Sequence, residues 1–188
     1  MRGIGMAIGF VVALPLLATA QQANMTALSP SDVQVASKVY HANKLEVDFG
    51  KLAKDNGGSK EVQDFGERMV KDHGDAADKL RSLVEGRGAK VAEPSDQDMA
   101  NDPDAKKAMT KEEELKNQKG ADFDRAFTAY MVEEHEKDIK EVENLAKQVT
   151  DPALRDALKG MIPVMQEHLK IARDLSAKAG NPAHKPGT

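Results

Sequence analysis

The chain has 188 residues, with 27 Lys and Arg against 31 Asp and Glu, a net charge of −4, 40% hydrophobic and 4% aromatic residues, and neither Cys nor Trp. That length suits one domain with enough chain to bury a core, and the mild acidity argues against a nucleic-acid partner, which needs a basic face. The lack of Cys excludes a disulfide scaffold, a Cys-ligated zinc or iron–sulfur site, a Cys nucleophile and a lipidated N-terminal Cys.

Residues 1–20 read as a secretory signal. Arg2 supplies the charged start, an apolar run extends from Ile4 to Leu17, and Ala18-Thr19-Ala20 supplies the small residues before a cleavage site near Ala20. The apolar run is interrupted by Gly5, Gly9 and Pro15 and is shorter than the roughly 20 residues of a spanning helix, so no stable membrane anchor is expected after cleavage. The mature protein is expected in the periplasm, or secreted. Residues 21–30 read as a short linker, residues 31–179 as the folded domain and residues 180–188, with two Pro and two Gly, as a loose tail that holds His184.

Helix formers dominate, and caps divide the domain into four long helices, an all-α pattern. Ser29-Pro30-Ser31-Asp32 opens the first, which Gly57-Gly58 stops near Asn56. Ser59 caps the second, which runs to about Arg87 before Gly88. Gly120 and Asp122 open the third, to about Val149, and Asp151-Pro152 opens the fourth, which fades near Ala179. A polar connection, residues 89–119, joins the second and third, with a short surface helix expected over Ala105 to Lys116. The architecture expected is a four-helix bundle with one long connection between helices two and three.

Steps of three and four trace one apolar stripe on each helix, and each stripe is broken by a polar group. The first passes Val39, Ala42, Glu46 and Phe49; the second Phe65, Met69, His73 and Ala76; the third Met131, His135, Asp138 and Val142; the fourth Met161, Met165, His168 and Ala172. Glu46, His73, His135 and His168 each lie within about three residues of the middle of their helix, or under roughly 5 Å along its axis. Helices of matched length bring such groups to one layer, with Asp138 one turn beyond His135, and His41 and Asn43 near the same level. A carboxylate in an apolar core is costly unless paired, protonated or coordinated. The candidate metal ligands are therefore Glu46, His73, His135 and His168, with Asp138 as a further ligand or an acceptor holding an imidazole, and His41 as an outer candidate. The alternative is a non-catalytic envelope-stress or binding protein with no metal, whose buried polar layer is structural or pH-sensitive. Met69, Met131 and Met165 near the three His residues raise a Cu(I) reading, but Met is also a common core filler. Pro163, five residues before His168, predicts a kink in the fourth helix.

At these residues the chain resembles the DUF4142 family, small exported bacterial proteins placed in the ferritin-like superfamily. The resemblance rests on His41-Ala-Asn43-Lys-Leu-Glu46-Val-Asp-Phe-Gly50-Lys-Leu-Ala53, Phe65-Gly-Glu-Arg-Met-Val-Lys-Asp72-His73, Gly120-Ala-Asp-Phe123-Asp124, Met131-Val-Glu-Glu-His135-Glu-Lys-Asp138-Ile139 and Ile162-Pro163-Val-Met-Gln-Glu-His168. It implies a ferritin-like bundle and brings no established reaction. The Glu-x-x-His pairs of ferritin-like diiron centres are missing, because Val70, Val132 and Met165 stand three before the His residues. Three imidazoles with one or two carboxylates suit a mononuclear Zn, Fe or Mn ion better than a carboxylate-bridged pair, with copper less favoured. The function expected is metal handling or envelope protection without catalysis. A metal-dependent oxidase or peroxidase is the enzymatic alternative; hydrolytic triads and phosphate-binding loops are not recognisable.

Overall fold

A computed structural model of the chain describes residues 27–95 and 101–180. The signal segment of residues 1–20 and most of the linker and tail lie outside the described residues. Within them the fold is all-α, with five helices: α1 Pro30–Asn56, α2 Lys60–Glu85, α3 Pro103–Lys116, α4 Gly120–Gln148 and α5 Pro152–Lys178. The four long helices follow the sequence reading closely, and α3 is the short helix expected in the polar connection, begun two residues earlier by an Asp102 cap.

The starts form for the reasons the residue types suggest. Ser29 accepts from the Asp32 N–H, Ser59 from the Val62 N–H and Asp151 from the Leu154 N–H, each satisfying one of the amides a helix leaves open. Pro30, Pro103 and Pro152 stand at first positions, where no amide is lost. Helix α4 differs: Lys119 gives no side-chain cap, and Gly120 enters with φ +63°, a backbone conformation glycine adopts without steric cost. Pro163 lies inside α5, which continues through it to Lys178.

Helices α1 and α2 form one hairpin, α4 and α5 the other, and each pair packs more closely within itself than across. Two buried carboxylates tie the hairpins at their ends. Asp32 accepts from the Thr150 amide and hydroxyl at 2.9 and 2.6 Å, and Asp124 accepts from the amides of Gly58 and Ser59 at 2.8 and 2.9 Å.

Helices α1 and α2 approach closely at Gly50 and Gly66. A Cβ on Gly66 would stand 2.5 Å from the Gly50 carbonyl oxygen and 2.7 Å from the Ala53 Cβ, a backbone atom and one fixed directly to the backbone, neither of which can give way locally. Gly66→Ala should therefore lower the melting temperature by about 5–10 °C, reflecting roughly 2–3 kcal/mol of overpacking. Gly74→Ala, at a position with nothing within 4 Å, should leave it equal or raised. Equal melting of both variants would contradict this close crossing.

The buried apolar residues fall into two clusters. One gathers Val39, Leu80, Val142, Leu158 and Met165, and the other Phe49, Phe65, Met69, Phe127 and Met131. On every long helix the switch between clusters occurs at the polar residue that interrupts its stripe. The core is two apolar compartments with a polar layer between them.

Candidate metal centre

His73 on α2, His135 on α4 and His168 on α5 occupy that layer, 5%, 1% and 0% exposed. Their ring centroids lie 5.1, 5.5 and 5.7 Å apart, and one nitrogen from each falls within 4.8 Å of the other two. Phe65 meets His168 edge-on from the aromatic compartment.

The outer hydrogen bonds fix which nitrogen faces inward. The Asn43 amide nitrogen donates to the Val39 carbonyl at 2.8 Å, which leaves its oxygen to accept from His73 Nδ1–H at 2.9 Å. The Met131 carbonyl can only accept, so His135 Nδ1–H donates to it at 3.1 Å. Asp72 Oδ2 accepts from His168 Nε2–H at 3.0 Å. With each outer nitrogen holding its proton, neutral rings turn three lone pairs inward, on His73 Nε2, His135 Nε2 and His168 Nδ1. His168 Nδ1 lies 3.2 Å from His73 Nε2 and 3.4 Å from His135 Nε2. Three acceptors at that spacing have no donor among themselves. A cation resolves the conflict, whether a metal ion or a single shared proton.

Burial decides much of the local electrostatics. It pushes the His73 imidazole well below its ordinary value, with the two neighbouring imidazoles adding to the effect, and takes His135 down to about 3. His168 is also lowered by burial, although the Asp72 carboxylate works against the shift. Burial alone would raise Asp72, but the hydrogen bonds from His168 and Arg68 outweigh it and hold that carboxyl below the usual range. Arg68 Nε stands 3.3 Å from Asp72, so the chain of contacts runs from the buried rings to the surface.

The other residues read from the sequence lie outside the imidazole group. Glu46 on α1 is buried, and Asp138 on α4 is partly so; they line one small cavity with Asn43 and one edge of His73. His41 lies at the surface, its Nε2–H donating to the Ala92 carbonyl at 2.9 Å with Glu93 at 3.6 Å, where it holds the segment after α2 against α1. Asp72 was not among the residues singled out from the sequence, yet it had a signal: it stands three residues after Met69 and directly before His73, at the edge of that stripe.

Burial and the Glu134 carboxylate push the Asp138 carboxyl up to about 7, against an ordinary value of 3.8. The native state therefore holds a proton that the unfolded chain releases between those values, and its stability falls as the pH rises through that window. In metal-free protein, Asp138→Asn removes this loss. Its stability relative to the wild type should climb from pH 4 to pH 8, by on the order of 4 kcal/mol at the upper end. Thermal melts at the two pH values check this, and a difference independent of pH would refute it.

Among the described residues no helix is long and apolar enough to cross a membrane. The fold is similar to the crystal structure of a Streptomyces coelicolor protein described as secreted and named DUF305. The TM-score is 0.68 and the identity 13%, over 84% of this chain and 98% of that one. No curated protein matches the sequence significantly. The sequence pattern of the family described as a domain of unknown function, DUF4142, matches residues 17–175, and that span takes in α1 to α4, all but the last three residues of α5, and all three buried imidazoles; the chain belongs to the DUF4142 family.

Proposed function

We propose that the protein is an exported, ferritin-like helical bundle that binds a transition-metal ion through His73, His135 and His168, for metal handling or protection of the cell envelope. The observation that carries this reading is the convergence of three imidazole lone pairs whose outer nitrogens are each committed to an acceptor. A tetrahedral ion with metal–nitrogen bonds of about 2.0–2.1 Å holds its ligand nitrogens about 3.3–3.4 Å apart. Two of the three spacings, 3.2 and 3.4 Å, agree with that demand, and all three nitrogens lie within 4.8 Å of one another. Three neutral imidazoles with no carboxylate among them favour Zn over Fe, and Fe over Mn. The methionines argue against copper, since Met69 and Met131 belong to one apolar compartment and Met165 to the other. Export is supported by the signal-like residues 1–20 and by the fold's likeness to a protein described as secreted. Two hairpins joined by a long connection support the ferritin-like description.

Elemental analysis of the purified chain, expressed in metal-rich medium, is the test. About one equivalent of a transition metal is expected; less than a tenth of an equivalent would refute the reading. The second reading is a pH-sensitive structural layer, favoured by one observation: a proton on His168 Nδ1 would face both remaining lone pairs. The depression of all three imidazoles by burial weighs against it.

A further inference from the structure

Beside the imidazoles lies a cavity of about 40 Å³ between α1 and α4, with room for a small ion and a water or two. Glu46 reaches it from α1 and Asp138 from α4; burial, with the Asp138 carboxylate adding to it, pushes the Glu46 carboxyl well above its ordinary value. Glu46 is 6% exposed, and its Oε2 is buried with no hydrogen-bond partner. A carboxylate oxygen so placed normally has a donor or a cation beside it.

The nearby cations are engaged elsewhere. Lys38, at the cavity mouth, pairs with Glu141; Lys107 lies 2.8 Å from both Glu133 and Glu134; Lys137 lies 2.7 Å from Asp104. Asp138 takes part in no ion pair within 4 Å among the described residues, although Lys137 and Glu134 act on it electrostatically. Both His73 nitrogens are engaged, Nδ1–H by Asn43 and Nε2 toward the other rings. The rest of the lining is Asn43, the Lys38–Glu141 pair and apolar side chains such as Val39, Val142 and Leu145, so the charged donors left for a cation are the two carboxylates. That donor set is all oxygen, and it suits a hard ion that keeps part of its hydration shell and binds through one or two carboxylates.

We propose that Glu46 and Asp138 form a second cation site, separate from the imidazoles, that takes a hard divalent ion of the Mg²⁺ or Mn²⁺ kind through oxygen ligands. The two sites divide the metals by ligand chemistry: nitrogen for the transition metal at the three rings, oxygen for the hard ion between α1 and α4. The second site does not depend on the first being filled.

Mn²⁺ titration of Zn-saturated full-length protein, followed by the electron paramagnetic resonance signal of free Mn²⁺, tests this. The wild type is expected to bind one Mn²⁺ per chain, and Glu46→Gln and Asp138→Asn should each weaken that binding at least tenfold. His135→Ala, titrated with Mn²⁺ alone, should retain it, which separates this site from the imidazole reading. Both carboxylate variants remove a buried charge at nearly constant shape, so their melting temperatures serve as the check that they fold. No bound Mn²⁺ in the wild type, or equal binding by both carboxylate variants, would overturn the second site.

Discussion

Chelation of the purified chain should lower its melting temperature by about 5–10 °C, and His135→Ala should take its retained metal from about one equivalent to less than a tenth. An ion present at a hundred times its dissociation constant adds about 2.7 kcal/mol to the folded state, because the unfolded chain does not present the three nitrogens together. A chain of this size converts each kcal/mol into roughly 2–4 °C. His135 is the most informative ligand to remove, since it is 1% exposed and its outer nitrogen is held by a backbone carbonyl, that of Met131. Its loss also leaves a cavity, so lower stability by itself proves nothing. The decisive comparison is within each protein: the wild type should melt differently with chelator and with added Zn²⁺, and His135→Ala should melt identically in both. A wild type indifferent to chelator would favour the structural polar layer.

Asp72→Asn should weaken metal binding by about 10–100-fold while the fold and stoichiometry stay unchanged. Asn keeps the size and one acceptor oxygen but removes the charge that makes His168 Nδ1 a stronger donor to a cation. It can also present its amide group to Nε2, which would send the ring proton to the inward nitrogen and spoil the lone pair. Arg68→Gln supplies the control. Arg68 touches Asp72 from the solvent side and stands 3.7 Å from Glu167, so its removal should change affinity by only a few-fold. Competition against a chromophoric chelator reads both values. If Asp72→Asn binds as tightly as the wild type, Asp72 merely covers the ring.

The helices were legible because the starts of α1, α3 and α5 carry two agreeing signals, an oxygen acceptor and a proline placed where no amide is lost, and α2 carries the first of them in Ser59. Helix α4, which has neither, was found from its glycine and its stripe. The imidazole layer was legible because each stripe breaks near the middle of its helix, and helices of matched length carry their middles to one level. Which polar groups share a pocket was harder to read, because it depends on rotation as well as height. Asp138 follows His135 by three residues, which turns it by about 60° to the side facing α1. That displacement puts it in the cavity with Glu46 instead of among the rings. His41 stands five residues before Glu46, about 140° around α1, and meets the segment after α2. Axial position was well determined by sequence; azimuth was not.

The distribution of the three rings over the two hairpins has a mechanical consequence. His73 belongs to the first hairpin, while His135 and His168 belong to the second, and the surfaces joining the hairpins are the less extensive ones in the molecule. An ion gripped by all three would rivet the halves where they part most readily. Its escape and the opening of that seam would become a single event, so the lifetime of the loaded state would follow how often the halves separate.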